Sequence, residues 1–186
     1  MTTSAATTPR IRPLEPPYEP DVEGYLTKLM PADGGLEPLQ IFRTLAVNFD
    51  LATRMRPLSA GLLAHGSIAP RERELVIPRT TALNGADYEW GVHATFFKEL
   101  TDEEIRGTVP GQNHDWPARD ALLIRLCDEL NDTATVSDEL WDELSRHWSD
   151  AQLIELLVLA GWYRTISYVI NAAQLEPEPW AVTPPS

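Results

Sequence analysis

The last long helical segment constrains the fold of this chain most. Residues 150–175 read DAQLIELLVLAGWYRTISYVINAAQL, and the part through Leu159 is apolar on nearly every side. A helix that is apolar all round must be covered by other elements or by another subunit. Ser149 and Gln152 form a capping box that fixes where this helix starts. We therefore expect it to lie at the centre of a helical domain or at a subunit contact.

The rest of residues 21–175 also follows helical periodicity, and no segment alternates as a strand would. Helix boundaries are marked by a second capping box at Thr101 and Glu104 and by a stop signal at Asn84-Gly85. Further starts are predicted at helix-capping residues and first-turn prolines, namely Asp50, Pro70, Asp87, Pro117 and Ser137. The sequence predicts an all-α, single-domain bundle of about eight helices.

Both ends of the chain are rich in proline and differ from the region between them. Residues 1–20 contain Pro9, Pro13, Pro16, Pro17 and Pro20, and residues 176–186 read EPEPWAVTPPS. We expect an extended or disordered N-terminal arm over residues 1–20, a helical domain over residues 21–175 and a C-terminal tail over residues 176–186. Such arms either stay mobile or wrap a neighbouring subunit, in which case Trp180 would be an anchor.

The charge of the chain limits the class of partner. The formal net charge is −13 and the isoelectric point is about 4.6. This balance argues against nucleic acid and against an anionic membrane surface, but a local pocket could still accept a small anion. No apolar run in the sequence is expected to span a bilayer, and the N-terminus does not resemble a secretory signal. We expect a cytoplasmic protein with a small-molecule substrate.

Cys127 is the one cysteine, so an internal disulfide and a CxxC redox pair are both excluded. Its neighbours at helical spacing are Leu123, Ile124 and Leu130. This setting is typical of a core residue, and a nucleophilic or peroxidatic role is the alternative. The lack of disulfides fits a reducing compartment.

Candidate chemistry lies in a predicted helix hairpin. Glu89 and His93 are four residues apart in GADYEWGVH, so they share a helix face. Antiparallel pairing of the two helices puts residue 78 opposite His93 and brings Glu74, about one turn further along, within reach of the imidazole. A histidine that faces carboxylates from two helices suits acid–base catalysis. The same spacing also fits an ordinary salt bridge.

Other patterns add candidates and remove some classes. Partial burial by Tyr88, Trp90 and Phe97 would shift the pKa values of this cluster, and Tyr163 is a further candidate for a pocket wall. The sequence has no Gly-rich phosphate loop, HExxH, GxSxG or zinc-type Cys/His cluster. We predict no metal site, because a second Glu-x-x-His copy, as di-iron bundles use, is missing.

The segment RERELVIPRTTALNGADYEWGVH, followed by LTDEEI, resembles the carboxymuconolactone decarboxylase family, which includes the alkylhydroperoxidase-D-like (AhpD-like) proteins. The closing segment DAQLIELLVLAGWYRTISYVINA is similar to the last long helix of that family. The resemblance covers about residues 38–175. It implies an AhpD-like all-helical fold, assembly as dimers, trimers or hexamers, and an active pocket near the hairpin.

The resemblance also separates two branches of the family. The thiol peroxidase branch carries a glutamate, then CxxC, then a histidine four residues after the second cysteine. Here Glu74 matches the upstream glutamate, while Ala86 and Glu89 stand at the two cysteine positions. The chain is therefore more similar to the decarboxylase branch, for which no organic cofactor is implied.

The resemblance implies a cofactor-free acid–base lyase or isomerase that acts on a small cyclic acid or lactone. In that role His93 would transfer the proton, Glu89 or Glu74 would orient it, and Tyr88 or Trp90 would wall the substrate ring. The alternatives are an alkylhydroperoxidase-type antioxidant activity, which the missing CxxC disfavours, and a non-catalytic helical oligomer that binds a ligand.

Overall fold

The computed structural model describes residues 8–30 and 35–186. Over these residues the chain is all-α, as expected, and it contains no strand. One 3-10 turn, Ala46–Asn48, joins the second and third helices. The helices in these ranges are α1 (Pro20–Thr27), α2 (Gln40–Leu45), α3 (Phe49–Ala64), α4 (Pro70–Leu83), α5 (Asp87–Phe96), α6 (Asp102–Gly107), α7 (Ala118–Thr133), α8 (Asp138–Leu144) and α9 (Asp150–Ala173).

Helices α4 and α9 form the centre of the fold. Helix α4 packs against α5, α7 and α9, and α9 also contacts α3 and α5. Leu75 and Ile77 of α4 and Leu156 of α9 are completely buried in the largest apolar cluster. The apolar character of α9 is therefore explained by its central position, which was one of the two positions expected from the sequence.

The expectation that no apolar run is long enough to span a bilayer needs correction. Within the described residues, α9 alone passes a test of length and composition for a membrane span, with a mean hydropathy of 1.4 over its most apolar window. This window is 44% buried inside the fold. The core helix of a helical bundle passes the same test, because it is apolar on most sides. Helix α9 is such a core helix, since it packs against α4.

The helix starts confirm some capping predictions and overturn others. Both predicted capping boxes are present, at Thr101 with Glu104 and at Ser149 with Gln152. Ser137 caps α8. The prediction for Asp50 was wrong, because the side chain of Asn48 caps α3 by accepting from the amide of Leu51 at 3.3 Å.

Asp87 was also predicted wrongly as an N-cap. Ala86 occupies that position, and Asp87 is the first residue of α5. A carboxylate in the first turn still interacts favourably with the positive end of the helix dipole. An acidic first turn and an acidic cap therefore look alike in the sequence.

The two chain ends lie against the bundle where they are described. Residues 1–7 of the expected arm lie outside the described residues, and residues 8–19 contain no helix. The amide of Arg10 donates to the carbonyl of Ala173 at 2.7 Å. In the tail, Glu178 accepts from the Gln40 amide at 2.7 Å, and the Trp180 ring packs on Phe96 with centroids 4.7 Å apart. Trp180 thus anchors the tail on its own chain.

Gly91 explains how the tail reaches α5. A Cβ at this position would clash with the carbonyl oxygen of Val182. The amide of Val182 also donates to Thr95 Oγ1 at 3.2 Å. The tail therefore crosses α5 at the one point where the helix surface has no side chain.

We expect Gly91→Ala to release the tail, because the added methyl group and the Val182 carbonyl cannot share the same space. Limited proteolysis should cleave residues 176–186 faster, and Trp180 fluorescence should move toward that of an exposed indole. Gly61→Ala on α3 is the matched control, since a Cβ there meets no atom within 4 Å. The control should be neutral or stabilising by about 0.5–1 kcal/mol. Equal protease resistance in both variants would contradict this account of Gly91.

Candidate active site

The α4–α5 hairpin brings the predicted acid–base residues together. Gly85 has φ of +60°, which glycine adopts readily, and it ends α4 beside Asn84. The amide of Ala86 then donates to the carbonyl of Thr81 at 2.9 Å, so α5 turns back along α4. The hairpin is thereby antiparallel, and the predicted reach from Glu74 to His93 is confirmed.

His93 contacts a carboxylate through each ring nitrogen. Its Nδ1 lies 2.8 Å from Glu74 Oε2, a hydrogen bond between two buried side chains. Its Nε2 lies 3.6 Å from Glu89 Oε1, which is ion-pair distance but too long for a hydrogen bond. The exposed fractions are 4% for His93, 2% for Glu74 and 8% for Glu89. The sequence left open whether Glu89 and His93 form an ordinary salt bridge on the surface. Both side chains are buried, so the pair is not a surface salt bridge.

The charge of His93 is set by these two neighbours. Burial by itself lowers the pKa of an imidazole, because it disfavours the charged form. The negative charges of Glu74 and Glu89, together with the hydrogen bond to Glu74, outweigh burial and raise the pKa of His93 to about 9. At neutral pH the ring is therefore an imidazolium, with a proton on each nitrogen.

Arg73 completes the charge balance behind the imidazole. Its Nε donates to Glu74 Oε1 at 3.2 Å, and its guanidinium also donates to the carbonyl of Leu63 at 3.0 Å. Glu74 thus accepts from Arg73 with one oxygen and from His93 with the other. Two cations and two carboxylates, the second being that of Glu89, form a cluster without net charge.

Two predicted aromatic residues hold the imidazole in place. The Phe97 ring stacks on it, with centroids 4.7 Å apart and planes 17° apart. The Tyr163 ring meets it edge to face at 5.1 Å. Burial, and then the charges of Glu89 and Glu74, raise the pKa of Tyr163 well above its ordinary value, so its hydroxyl stays protonated.

A cavity of about 500 Å³ opens beside this cluster, between α1, α2, α3, α5 and α9. Glu89, His93, Phe97 and Tyr163 all lie in its wall. The other lining side chains are mostly apolar, and they include Leu29, Met30, Ile41, Phe42, Met55, Leu63, Phe96 and Trp162. This volume and lining are typical of a small-molecule site.

Glu89 has an unused oxygen in this setting. Its Oε2 is buried and has no hydrogen-bond partner among the described residues. An unpartnered buried acceptor costs about 1–3 kcal/mol, so such atoms are rare in folded proteins. A donor on a bound molecule or a water molecule would satisfy this oxygen.

The structure places two predicted substrate-binding residues away from the cavity wall. The hydroxyl of Tyr88 accepts from the Ile41 amide at 3.2 Å and donates to Glu178, and the Trp90 indole donates to Thr108 Oγ1 at 3.0 Å. Both side chains serve packing, which corrects the expectation that they wall a substrate ring. Position 88 lies on a different face of α5 from position 93, whereas Trp90 is only three residues from His93 and leaves the cavity because its indole is hydrogen-bonded to Thr108.

Sequence reasoning missed the far side of the cavity. Tyr25 on α1 and Phe42 on α2 line it, as do Met55 and Arg56 on α3. These residues come from helices that are remote in sequence from the hairpin, and no local motif marks them. Their apolar neighbours look like ordinary core positions until the bundle is assembled.

Cys127 lies in the core, as its neighbours predicted. It is 2% exposed, and its Sγ lies 3.7 Å from Thr80 Oγ1 and 3.8 Å from the Val76 carbonyl. Burial raises the pKa of this thiol to about 12, so it stays protonated at neutral pH. Over the described ranges, no three His, Cys, Asp or Glu side chains are arranged to hold a metal ion.

The fold is that of the AhpD-like proteins. A peroxidase-related protein from Ralstonia eutropha JMP134 with an alkylhydroperoxidase AhpD core superposes with a TM-score of 0.79 at 17% identity, over 94% of this chain and 95% of that one. A peroxidase-related protein from Silicibacter sp. TM1040 gives 0.73 at 14% identity, over 94% and 96%. The debrominase Bmp8, as a cysteine-to-alanine variant with 2,3,4-tribromopyrrole, gives 0.74 at 18% identity, over 91% and 92%.

The sequence match is to one family. Residues 50–109 match the model of the carboxymuconolactone decarboxylase family, and they include Glu74, Glu89 and His93. The family resemblance expected from the sequence is thereby confirmed for this segment. No curated protein matches the chain significantly. The similar structures are less than 20% identical to this chain, so they establish its fold but not its activity.

We expect the imidazole of His93 to titrate far above the ordinary value of 6.5, near pH 9. Glu74→Gln should lower this pKa, because it removes a charge and a hydrogen-bond acceptor from Nδ1. NMR observation of the ring protons across pH 5–10 measures both values. Glu103→Gln is the control, since the side chain of Glu103 is 89% exposed and lies near His114 instead. A His93 pKa that is the same in both variants would contradict the assignment.

The same titration predicts how stability depends on pH. Because folding raises the pKa of His93, its ionised form stabilises the fold fully below about pH 6.5, and this contribution is lost as the pH rises through 9. We expect the free energy of unfolding, measured by urea at pH 6.5 and 9.5, to fall over this range. The fall should be smaller in Glu74→Gln than in the wild type. An equal fall in the two proteins would refute the link.

Proposed function

We propose that the protein is a cofactor-free acid–base enzyme, a lyase or isomerase that acts on a small cyclic acid or lactone. The observation that carries the proposal is the position of His93 in the cavity wall, protonated and held at Nδ1 by Glu74. An imidazolium that is fixed in this way is a proton donor at neutral pH. The match of residues 50–109 to the carboxymuconolactone decarboxylase family supports the same class.

In a decarboxylation, the bond between the substrate ring and its carboxylate breaks and carbon dioxide leaves. The electron pair of that bond moves into the conjugated lactone carbonyl and forms a dienolate. His93 then delivers its Nε2 proton to the dienolate carbon, and a proton from solvent restores the imidazolium. Glu74 remains hydrogen-bonded to Nδ1 throughout and keeps the ring oriented.

In an isomerisation, the same groups would act as a donor and an acceptor. Glu89 Oε2, which has no partner among the described residues, would accept a proton from a carbon next to the carbonyl. The electron pair moves through the conjugated system, and His93 protonates its other end. The proton that Glu89 gains then passes to His93 through a bound water molecule and completes the cycle, because the 3.6 Å between Glu89 Oε1 and His93 Nε2 is too long for a direct hydrogen bond.

The alkylhydroperoxidase alternative has weaker support in this chain. The two positions that carry cysteines in the thiol branch hold Ala86 and Glu89. Cys127 is buried, and its raised pKa keeps it as a thiol rather than the nucleophilic thiolate. A peroxidase cycle would therefore need a thiol that this cavity does not provide.

The proposal includes self-association in a cytoplasmic setting. Ile154 and Val158 are 62% and 39% exposed on α9, and Tyr168 is 56% exposed further along the same helix. Apolar side chains in a row on one helix face favour contact with a second subunit. A dimer, a trimer or a hexamer is compatible with this face, and light scattering would distinguish them.

The proposed chemistry predicts that His93→Gln lowers turnover by about 10²- to 10⁴-fold, because the general acid is lost. Substrates are sought in a panel of unsaturated lactone acids and cyclic keto acids. Release of carbon dioxide reports the lyase reaction, and uptake of solvent deuterium by NMR reports the isomerase reaction. His147→Gln, an exposed histidine, is the matched control and should retain full activity.

Two outcomes would contradict the proposal. One is a folded His93→Gln protein that is as active as the wild type on any substrate found. The other is tight binding of panel compounds without conversion, which would favour a non-catalytic binding protein.

A further variant separates the acid–base and thiol mechanisms. We expect Cys127→Ser to retain the acid–base activity, because the thiol lies outside the catalytic cluster. Peroxide reduction should be absent from the wild type. If the wild type reduces alkyl hydroperoxide and Cys127→Ser does not, the antioxidant alternative is correct and the acid–base proposal loses its basis.

A further inference from the structure

Arg56 is a cation in the cavity wall whose charge no described residue neutralises. It lies on α3, is half-buried and lines the same cavity as Glu89 and His93. Within residues 8–30 and 35–186, no hydrogen bond or ion pair engages its guanidinium. Burial raises the pKa of Tyr25, and the positive charge of Arg56 opposes this rise. The guanidinium is therefore close enough to the Tyr25 hydroxyl in the cavity wall to influence its ionisation.

Arg56 differs in this respect from the arginines that build the bundle. The chain has 28 acidic residues and 15 basic ones, so carboxylate partners are abundant. Bridges of this kind tie α4 to α7, for instance, through Arg71 and Asp120 at 2.8 Å and through Arg79 and Asp128 at 2.7 Å. The arginines that pair with carboxylates in the described residues are Arg43, Arg54, Arg71, Arg73, Arg79, Arg119 and Arg125.

The cavity wall as a whole is more positive than the chain around it. Among the described residues, its charged members are Lys28, Arg56, His93 and Glu89. The charges of His93 and Glu89 are balanced within the cluster that they form with Glu74 and Arg73, so Lys28 and Arg56 make the wall positive. The chain carries a net charge of −13. A local positive wall is what an anion needs in order to enter a protein whose overall field repels it.

The rest of the cavity wall is mostly apolar, which disfavours a ligand with more than one charged group. Between the cations, the surface is formed by carbon-rich side chains such as Met30, Phe42, Met55, Phe96 and Trp162. Lys28 is exposed, and the charge of His93 is already balanced by Glu74 and Glu89, so a second anionic group on the ligand would lie against these side chains or beside Glu89. Burying an unpaired carboxylate there is unfavourable.

We propose that the cavity binds an apolar monocarboxylic acid whose carboxylate is held by Arg56 and whose ring system lies against the apolar wall. The planar guanidinium pairs with a carboxylate through two parallel hydrogen bonds, which fixes the orientation of the ligand. Arg56 is then the residue that determines specificity. Naming this ligand as the substrate rests on the proposed function, because the free end of the acid would meet His93 and Glu89.

Binding of simple probes tests the inference without requiring turnover. Isothermal titration with 2-naphthoate, its neutral isostere 2-naphthamide and naphthalene-2,6-dicarboxylate compares one, zero and two charges on the same ring. The wild type should bind 2-naphthoate about 10- to 100-fold more tightly than the amide, since a charge-assisted hydrogen bond contributes about 1.5–3 kcal/mol. The dicarboxylate should bind more weakly than the monocarboxylate.

Variants on one helix provide the matched comparison. Arg56→Gln should remove the preference for 2-naphthoate over the amide and leave the affinity for the amide unchanged, which also shows that the variant is folded. Arg56→Lys should retain part of the preference. Arg54→Gln removes the same charge two residues away, where Arg54 is exposed and pairs with Asp50, and it should change neither affinity.

Three results would overturn the inference. They are equal affinity of the wild type for the acid and the amide, an Arg56→Gln variant that keeps the preference, and failure of the wild type to bind any of the probes. The result is independent of the test on His93. If no panel compound is converted while 2-naphthoate behaves as expected, the ligand class stands and the enzymatic proposal falls.

Discussion

The hydrogen bond between Glu74 and His93 is the interaction on which the rest of the site depends. A buried carboxylate is unfavourable unless a partner compensates for the lost water, and an imidazole beside it gains a proton for the same reason. Each residue therefore requires the other, and because they lie on different helices the requirement fixes the register of the α4–α5 hairpin. Arg73 extends the arrangement by occupying the second oxygen of Glu74. Glu89 is left with one oxygen that has no hydrogen-bond partner among the described residues.

The two sides of the cavity have different origins in the chain. The acid–base side is local, since α4 and α5 are consecutive and are held by a short turn. The opposite side is assembled from α1, α2 and α3, which reach the site only after the bundle has formed. Under the proposed function, this division would separate the proton transfer from the recognition of the ligand. Related chains could change Arg56 or Met55 and so change the ligand without altering the proton-transfer cluster.

The sequence predicted the parts of the fold that depend on local signals. Apolar periodicity, two capping boxes and the Asn84-Gly85 stop gave the helices, and spacing across the turn brought Glu74 to His93. It failed where two local solutions look alike, as at Asp50, where Asn48 supplies the cap. It also failed for Tyr88 and Trp90, whose polar atoms find partners in the tail and at Thr108. The direction in which an aromatic ring points depends on contacts from remote segments, and a single sequence does not encode those contacts in any local pattern.

The docking of the tail makes its length matter more than its composition. Three positions are fixed at alternate residues, with Glu178 at the Gln40 amide, Trp180 on Phe96 and Val182 over Gly91. Between these contacts the chain turns, because the amide of Ala181 donates to the carbonyl of Glu178 at 2.9 Å. An insertion or deletion of one residue between 176 and 182 would break this turn and displace at least one of the three contacts. Phe96 lines the cavity, so such a change in the tail would alter the cavity wall. The tail would have this effect although none of its side chains belongs to the His93 cluster.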